Sequence, residues 1–166
     1  MGFNEIMIIK YLTTLEKNTS IFKSKPMVGV STKDIKEVEK QIGWEFPIAY
    51  KEFLHLAGES CYGLDLFPGR FSLFDLANPD SIDELNNKLK KYGVLQERPI
   101  WVFTEMDGYE QFYFFYLDEN VEDPRVWRAE LTDITEIGDG EKSLSAFYNE
   151  LIDYSLDYRK RWGPAL

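Results

Sequence analysis

Apolar residues recur along this chain first at helical spacing and later at strand spacing. Near the start an apolar residue stands at every third position, and the residues concerned are Ile6, Ile9, Leu12 and Leu15. This period predicts an amphipathic first helix within residues 1–20. The pattern fades around Asn18, and the residues that follow, up to Val30, predict a connector.

The segment Ser31–Gly58 carries start and stop signals for two helices. Ser31 suits an N-cap, and Asp34 places a carboxylate in the first turn, where it complements free backbone N–H groups. Gly43 stands where a left-handed glycine commonly ends a helix. We therefore predict a first helix between Ser31 and Gly43.

A corner and a second helix are predicted directly after Gly43. Trp44 and Phe46 are expected to form a buried corner, and Pro47 suits the first turn of the next helix. Apolar residues at i, i+3, i+4 and i+7 give this helix its buried face, and they are Tyr50, Phe53, Leu54 and Ala57. Gly58 is expected to end it.

Residues 71–92 predict a short strand followed by a fourth helix. Residues 71–76 alternate in a way that favours a strand. Ser81 and Glu84 have the spacing of a capping box, in which each residue satisfies a backbone N–H of the other. We expect the helix to begin at Ser81 and to end at Gly93.

The period changes to two in the second half of the chain. Ile100–Thr104 and Gln111–Leu117 predict two strands, and Asp107-Gly108 between them predicts a hairpin. The second strand is apolar almost throughout, which indicates burial on both faces and a central place in the sheet. A third strand is predicted at Val126–Leu131, and an amphipathic final helix from Leu144.

This grouping of helices and strands indicates an α+β fold. We predict one domain over residues 1–166, because the length suits a single core. Its sheet is expected to be antiparallel or mixed, with about four to six strands, flanked by the N-terminal helices and a C-terminal helix.

Composition narrows the class of partner. The formal net charge of −10 disfavours binding to nucleic acid backbones and anionic lipid, and it favours a basic protein partner.

Cys61 is the single cysteine, which excludes an intramolecular disulfide and suits a reducing compartment. The first residues lack a signal-peptide pattern, and no apolar run is long enough to span a bilayer. We therefore expect a cytoplasmic protein.

Residue chemistry offers no catalytic motif. His55 is the single histidine, and its spacing to Glu59 and Cys61 falls short of the ligands that zinc sites need. Glu105, Asp107 and Glu110 cluster near the hairpin, where a solvated acidic turn is favoured over paired acid–base catalysis. We expect no catalytic residue, no metal and no cofactor.

The segment 31–58 resembles the signature of the SUKH superfamily of SMI/KNR-like proteins. The matching positions are Ser31, Asp34, Ile35, Glu39, Ile42, Gly43, Phe46, Pro47, Tyr50, Phe53, Leu54 and Gly58. Ala57 departs from the small polar residue that is usual before the final glycine, and the predicted helix within residues 1–20 lies outside the signature. Weaker similarity extends to the strands and the final helix.

The resemblance implies a non-enzymatic α+β domain that binds proteins. Bacterial members resemble immunity proteins, so the resemblance implies a partner toxin, and a basic nuclease domain is one class of such toxins. We place the partner-binding residues in loops at the ends of the aromatic strands, at Glu105, Asp107, Tyr109, Glu110, Glu119 and Glu122. Two alternatives stay open: a regulatory or scaffold protein of cell-wall or stress signalling, and a carboxylate-dependent hydrolase.

Overall fold

The computed structural model describes residues 6–20, 27–61, 69–132, 135–138, 140 and 142–163. Over these residues the elements are α1 (Thr13–Asn18), α2 (Thr32–Ile42), α3 (Ile48–Ala57), α4 (Leu73–Leu76), α5 (Pro79–Lys91), β1 (Ile100–Met106), β2 (Gln111–Tyr116), a 3-10 turn (Leu117–Glu119), β3 (Trp127–Leu131), β4 (Thr135–Gly138) and α6 (Leu144–Trp162). Helices therefore precede and follow one block of strands, as expected for an α+β fold.

The four strands of the described residues form one sheet in the order β1-β2-β3-β4. Every neighbouring pair is antiparallel. Four strands are the lower end of the predicted range of four to six. β2 occupies an interior place, as its apolar sequence predicts. β4 was not predicted, because its short sequence carries little strand pattern.

Apolar side chains cover both faces of the sheet. On one face, Trp101 and Phe103 of β1 join a large core cluster with residues of α2, α3 and α6. Within it the rings of Phe53 and Tyr148 stack with centroids 4.4 Å apart. On the other face, Phe112 belongs to a smaller cluster that includes residues of α5. Burial on both sides explains why β2 lacks polar alternation.

A β-bulge in β1 changes which face its last residues occupy. The register with β2 shifts between Val102 and Thr104, so Glu105 lies opposite Phe112. Residues directly opposite each other in an antiparallel pair share a face. The bulge therefore directs Glu105 to the face that α5 covers, whereas unbroken alternation would have placed it with Phe103.

The helix boundaries predicted at Ser31 and Gly43 are confirmed. The Ser31 hydroxyl accepts a hydrogen bond of 3.1 Å from the backbone N–H of Asp34. Gly43 takes a left-handed conformation with φ of 76°, which glycine adopts without a Cβ penalty. Local signals alone decide this helix.

The corner before α3 differs in detail from the prediction. Phe46 is buried, but the Trp44 side chain is exposed, and Pro47 precedes the helix as its N-cap. Gly58 ends α3 without a left-handed conformation. A Cβ at Gly58 would lie 2.6 Å from Cα of Leu54, so close packing is what requires glycine there.

The predicted N-terminal helix is wrong for most of its length. α1 spans only Thr13–Asn18, and residues 6–12 are not helical; residues 1–5 lie outside the described residues. The carboxylate of Glu52 accepts hydrogen bonds from three successive backbone N–H groups, those of Lys10 at 2.7 Å, Tyr11 at 2.8 Å and Leu12 at 2.9 Å. This distant buried partner fixes the segment in place.

Two predictions between residues 71 and 84 are also wrong. Residues 73–76 form a helical turn, α4, in which Leu73 and Leu76 are both buried, so the strand does not form. α5 begins at Pro79, and the side chain of its N-cap Asn78 accepts a hydrogen bond of 2.9 Å from Asp80. Ser81 is therefore inside the helix, where it is buried.

Candidate protein-binding surface

The predicted partner-binding residues lie at opposite ends of β2. Four of them belong to the β1–β2 hairpin, and two follow the strand at its other end; the six are Glu105, Asp107, Tyr109, Glu110, Glu119 and Glu122. β2 has six residues, which at about 3.3 Å per residue separates the two groups by about 17 Å. The structure does not bring the six side chains together.

Glu105 is buried, so a solvated acidic turn is the wrong interpretation for this residue. Its side chain is 3% exposed and forms an ion pair with the guanidinium of Arg70. Its second oxygen accepts a hydrogen bond of 2.8 Å from the backbone N–H of Tyr109. A buried carboxylate is stable only with such partners, and here they come from two different loops.

Arg70 connects the hairpin to α5. Its guanidinium donates to the hydroxyl of Ser81 at 3.1 Å and to the carboxylate of Glu84 at 3.1 Å. It also lies over the ring of Tyr109, 5.4 Å from the centroid. The hydrogen bond to Glu105 raises the pKa of Arg70, so the guanidinium stays charged. We call these five residues the Arg70 cluster.

The Arg70 cluster fixes the hairpin tip against α5. Asp107, Gly108 and Tyr109 all have positive φ, between 55° and 63°. A Cβ at Gly108 would lie 2.8 Å from a carboxylate oxygen of Glu84. The Tyr109 side chain is buried, which raises its pKa, whereas Asp107 is exposed. No ion pair joins Asp107 to a described residue.

The other three predicted residues have cationic neighbours. Glu110 lies 3.4 Å from the ammonium of Lys88, and Glu119 lies 3.6 Å from the guanidinium of Arg98. Glu122 accepts hydrogen bonds from Lys10 and from the Tyr11 hydroxyl, each at 2.7 Å. These contacts lower the pKa of Glu122. All three carboxylates therefore have part of their charge compensated.

Exposed carboxylates without ion pairs occur instead on α4, on α5 and at the hairpin tip. Asp75 of α4 and Asp80 and Asp83 of α5 are exposed, and no ion pair links them to a described residue. Asp80 and Asp83 border a shallow surface depression together with Glu84, the residue that Gly108 approaches, and Lys88 and Lys91 also line this depression. We call Asp75, Asp80, Asp83 and Asp107 the acidic surface.

An exposed aromatic residue directly precedes Asp75 of the acidic surface in the chain. Phe74 precedes Asp75 in α4 and leaves 46% of its area open to solvent. Sequence reasoning missed this group because Phe74 and Asp75 were assigned to a strand, and because the capping box displaced the start of α5 past Asp80. The acidic residues on either side of Asn78-Pro79 were the available signal.

The described residues offer few candidates for catalysis. Among them, no group of three or more histidine, cysteine, aspartate or glutamate side chains could hold a metal ion. Burial raises the pKa of the Cys61 thiol to about 12, which removes the thiolate needed for nucleophilic attack. None of the helices in this part of the chain is long and apolar enough to cross a membrane.

Comparison with known proteins identifies the family. A family model described as the SMI1 / KNR4 family (SUKH-1) matches residues 29–154. The match includes the two-helix segment 31–58, the whole sheet and the Arg70 cluster. A search of curated proteins found no match. Because the family model covers most of the chain, this protein belongs to the SMI1 / KNR4 family (SUKH-1).

Proposed function

We propose that this chain is a non-enzymatic immunity protein that neutralises a cognate toxin by direct binding. Membership of the SMI1 / KNR4 family (SUKH-1) supports a binding role, because the family resemblance implies protein recognition without shared catalytic residues. The proposal places the chain in the cytoplasm. Its partner is a protein, and neither nucleic acid nor membrane is bound directly.

The acidic surface is the observation that carries the proposal. Its four aspartates are exposed and form no ion pairs with described residues, so their charge is available to a basic partner. Lys88 and Lys91, which line the same depression as Asp80 and Asp83, offset part of this charge. A nuclease toxin recognises phosphates with basic side chains, and a rigid set of carboxylates can occupy the same site. Exposed Phe74 supplies an apolar anchor at the border, as binding hot spots usually require.

The Arg70 cluster supports this role indirectly. Glu105 and Tyr109 are buried, so in our proposal they hold the hairpin tip in position and do not touch the partner. Asp107 is the one predicted residue that we place in the contact. A hairpin tip fixed against α5 presents its charge with little loss of conformational entropy on binding.

The experiment compares two variants with equal loss of charge. In the first, Asp80, Asp83 and Asp107 are replaced by asparagine; in the second, Glu16, Glu45 and Glu97 are replaced by glutamine. All six residues are exposed and without ion pairs to described residues, so both variants should fold. Each variant and the wild type are then used to capture proteins from lysate of the native cell.

We expect a basic protein to be captured by the wild type and the control variant and lost with the aspartate variant. Expression of the captured protein should be toxic, and co-expression of this chain should restore growth. A captured protein that is harmless would contradict immunity and would favour the regulatory alternative. Equal capture by all three baits would show that the acidic surface is not the contact.

A further inference from the structure

The C-terminal half of α6 carries an exposed aromatic stripe. Tyr154, Tyr158 and Trp162 are spaced four residues apart, so they lie along one side of the helix. Their exposed fractions are 71%, 50% and 74%. Aromatic side chains of this size are usually buried or engaged with a partner, and a contiguous exposed row marks an interaction surface.

The same row packs against the core further upstream. Leu151 and Phe147 extend the row at spacings of three and four residues, which is the spacing of contact positions in a helix pair, and both are partly buried. The ring of Phe147 lies 5.0 Å from that of Tyr113 and 5.6 Å from that of Phe103. The row therefore begins at the edge of the core and continues beyond it.

The last turns of α6 are only lightly packed. The last buried residue of this helix is Ser155, and Leu156 is partly buried against the large core cluster. Beyond Leu156 no residue of α6 is buried, and Tyr158 and Trp162 stay exposed. Because helical turns depend on tertiary packing for much of their stability, a partner that covers Tyr158 and Trp162 would stabilise this end of the helix.

Charge is segregated along the same half of the helix. The acidic residues come first and the basic residues follow: Glu150, Asp153 and Asp157 precede Arg159, Lys160 and Arg161. Asp157 and Arg161 flank the stripe and form an ion pair with each other at 2.9 Å. A second α6 that runs in the opposite direction places its basic end beside this acidic part, whereas a parallel α6 would oppose like charges.

We propose that the stripe is the contact between two copies of this chain, with their α6 helices antiparallel about a twofold axis near Tyr158. Tyr154 of one copy then packs on Trp162 of the second copy, and each Asp157 lies within one turn of the other copy's Arg161. This contact is self-complementary, as a twofold axis requires. It lies apart from the acidic surface, so it does not depend on the proposed toxin.

The area of the stripe predicts a weak dimer. Aromatic side chains bury about 150–250 Å² each, so the three exposed ones supply roughly half of the ~800 Å² per partner that stable interfaces use. We therefore expect a dissociation constant on the order of 100 µM. A dimer of this strength is seen only at high protein concentration.

Sedimentation velocity of the full chain tests the contact. The protein concentration should run from about 10 to about 500 µM, because this range spans the expected dissociation constant. The wild type should shift from monomer towards dimer. The double variant Tyr154→Gln/Trp162→Gln should stay monomeric across the range. The matched control, Ile8→Gln/Leu95→Gln, removes two equally exposed large apolar side chains elsewhere and should behave as the wild type.

A charge-swap mixture tests the antiparallel arrangement. Asp157→Lys alone and Arg161→Glu alone should each be monomeric, because each homodimer opposes like charges. An equimolar mixture of the two should dimerise, because each contact then pairs opposite charges. A helix-dipole role for the basic end predicts no such recovery, since that effect acts within one chain.

Three results would overturn the proposal. The first is a wild type that stays monomeric at the highest concentration, including one that instead binds lipid vesicles or another protein through the stripe. The second is a dimer that persists in Tyr154→Gln/Trp162→Gln. The third is a charge-swap mixture that stays monomeric while the wild type dimerises, because it would exclude the antiparallel pairing.

Discussion

The interior and the surface beside the hairpin use the same side-chain group in opposite ways. Glu52 and Glu105 are buried, and each binds the backbone or side chains of distant segments. Asp83 and Asp107 are exposed and form no ion pairs with described residues. A carboxylate that is fully bonded inside the protein stabilises the fold, whereas one that is left free is available to a partner.

The comparison also shows why acidity alone is a poor guide to function. Glu105 and Asp107 are two residues apart, yet one lies beneath α5 and the other at the hairpin tip. The number of hydrogen bonds that each carboxylate accepts separates them, and that number depends on segments far away in the sequence. Replacement of a buried, hydrogen-bonded carboxylate should therefore destabilise the protein more than replacement of an exposed one.

Replacement of Glu105 should have the largest effect on stability. Glu105→Ala removes a charge-assisted hydrogen bond from Arg70, which is partly exposed and keeps Glu84 as a partner. It also leaves the buried Tyr109 N–H without an acceptor, and the two losses together cost about 3 kcal/mol. Chemical denaturation measures the free energy of unfolding. A loss below about 1 kcal/mol, typical of exposed pairs, would show that this cluster does not hold the hairpin.

Glu52→Gln should be the next most destabilising change. The amide keeps the shape of the side chain but removes the charge that strengthens three backbone hydrogen bonds, so we expect a loss of about 2–3 kcal/mol. Hydrogen exchange should show faster exchange of the N–H groups of Lys10, Tyr11 and Leu12. Unchanged protection there would refute the role of Glu52 as their acceptor.

Glu84→Gln tests a carboxylate of intermediate exposure. Its side chain is partly exposed and shares Arg70 with Glu105, so Glu84→Gln should cost only about 0.5–1 kcal/mol. Added salt should reduce the difference from the wild type, because exposed ion pairs are screened. A cost equal to that of Glu105→Ala would mean that exposure does not separate the two carboxylates.

The exposed aspartates should contribute almost nothing to stability. The variant with asparagine at 80, 83 and 107 is expected to unfold within about 1 kcal/mol of the wild type, since these are unpaired surface residues and only Asp80 lies in the first turn of a helix. A gain is also compatible, since neutralisation relieves repulsion within the acidic surface. A loss of about 2 kcal/mol or more would place these carboxylates with the structural group.

The parts of the fold that sequence predicts well are those decided by neighbouring residues. Ser31 and Gly43 bound α2 as expected, because the cap hydroxyl and the left-handed glycine act within one turn of the helix. The β1–β2 hairpin was likewise predicted from Asp107-Gly108 and the apolar strands around it.

The errors arise where a distant residue competes with the local pattern. The period of Ile6, Ile9, Leu12 and Leu15 suits a helix, but the Glu52 carboxylate holds the backbone N–H groups of residues 10–12 in a non-helical segment. Nothing local reveals that contact. The expected solvated acidic turn was wrong for Glu105 for a related reason, since a single bulge in β1 decides the direction of its side chain.

The affinity of the captured protein for the two charge-matched variants tests the central claim most directly. Titration calorimetry should show that the variant with asparagine at 80, 83 and 107 binds at least about 100-fold more weakly than the wild type, because three interface charges are lost. The variant with glutamine at 16, 45 and 97 should stay within about 3-fold of the wild type, because only the general field changes. Equal affinities for the two variants would contradict the claim that the acidic surface binds the partner.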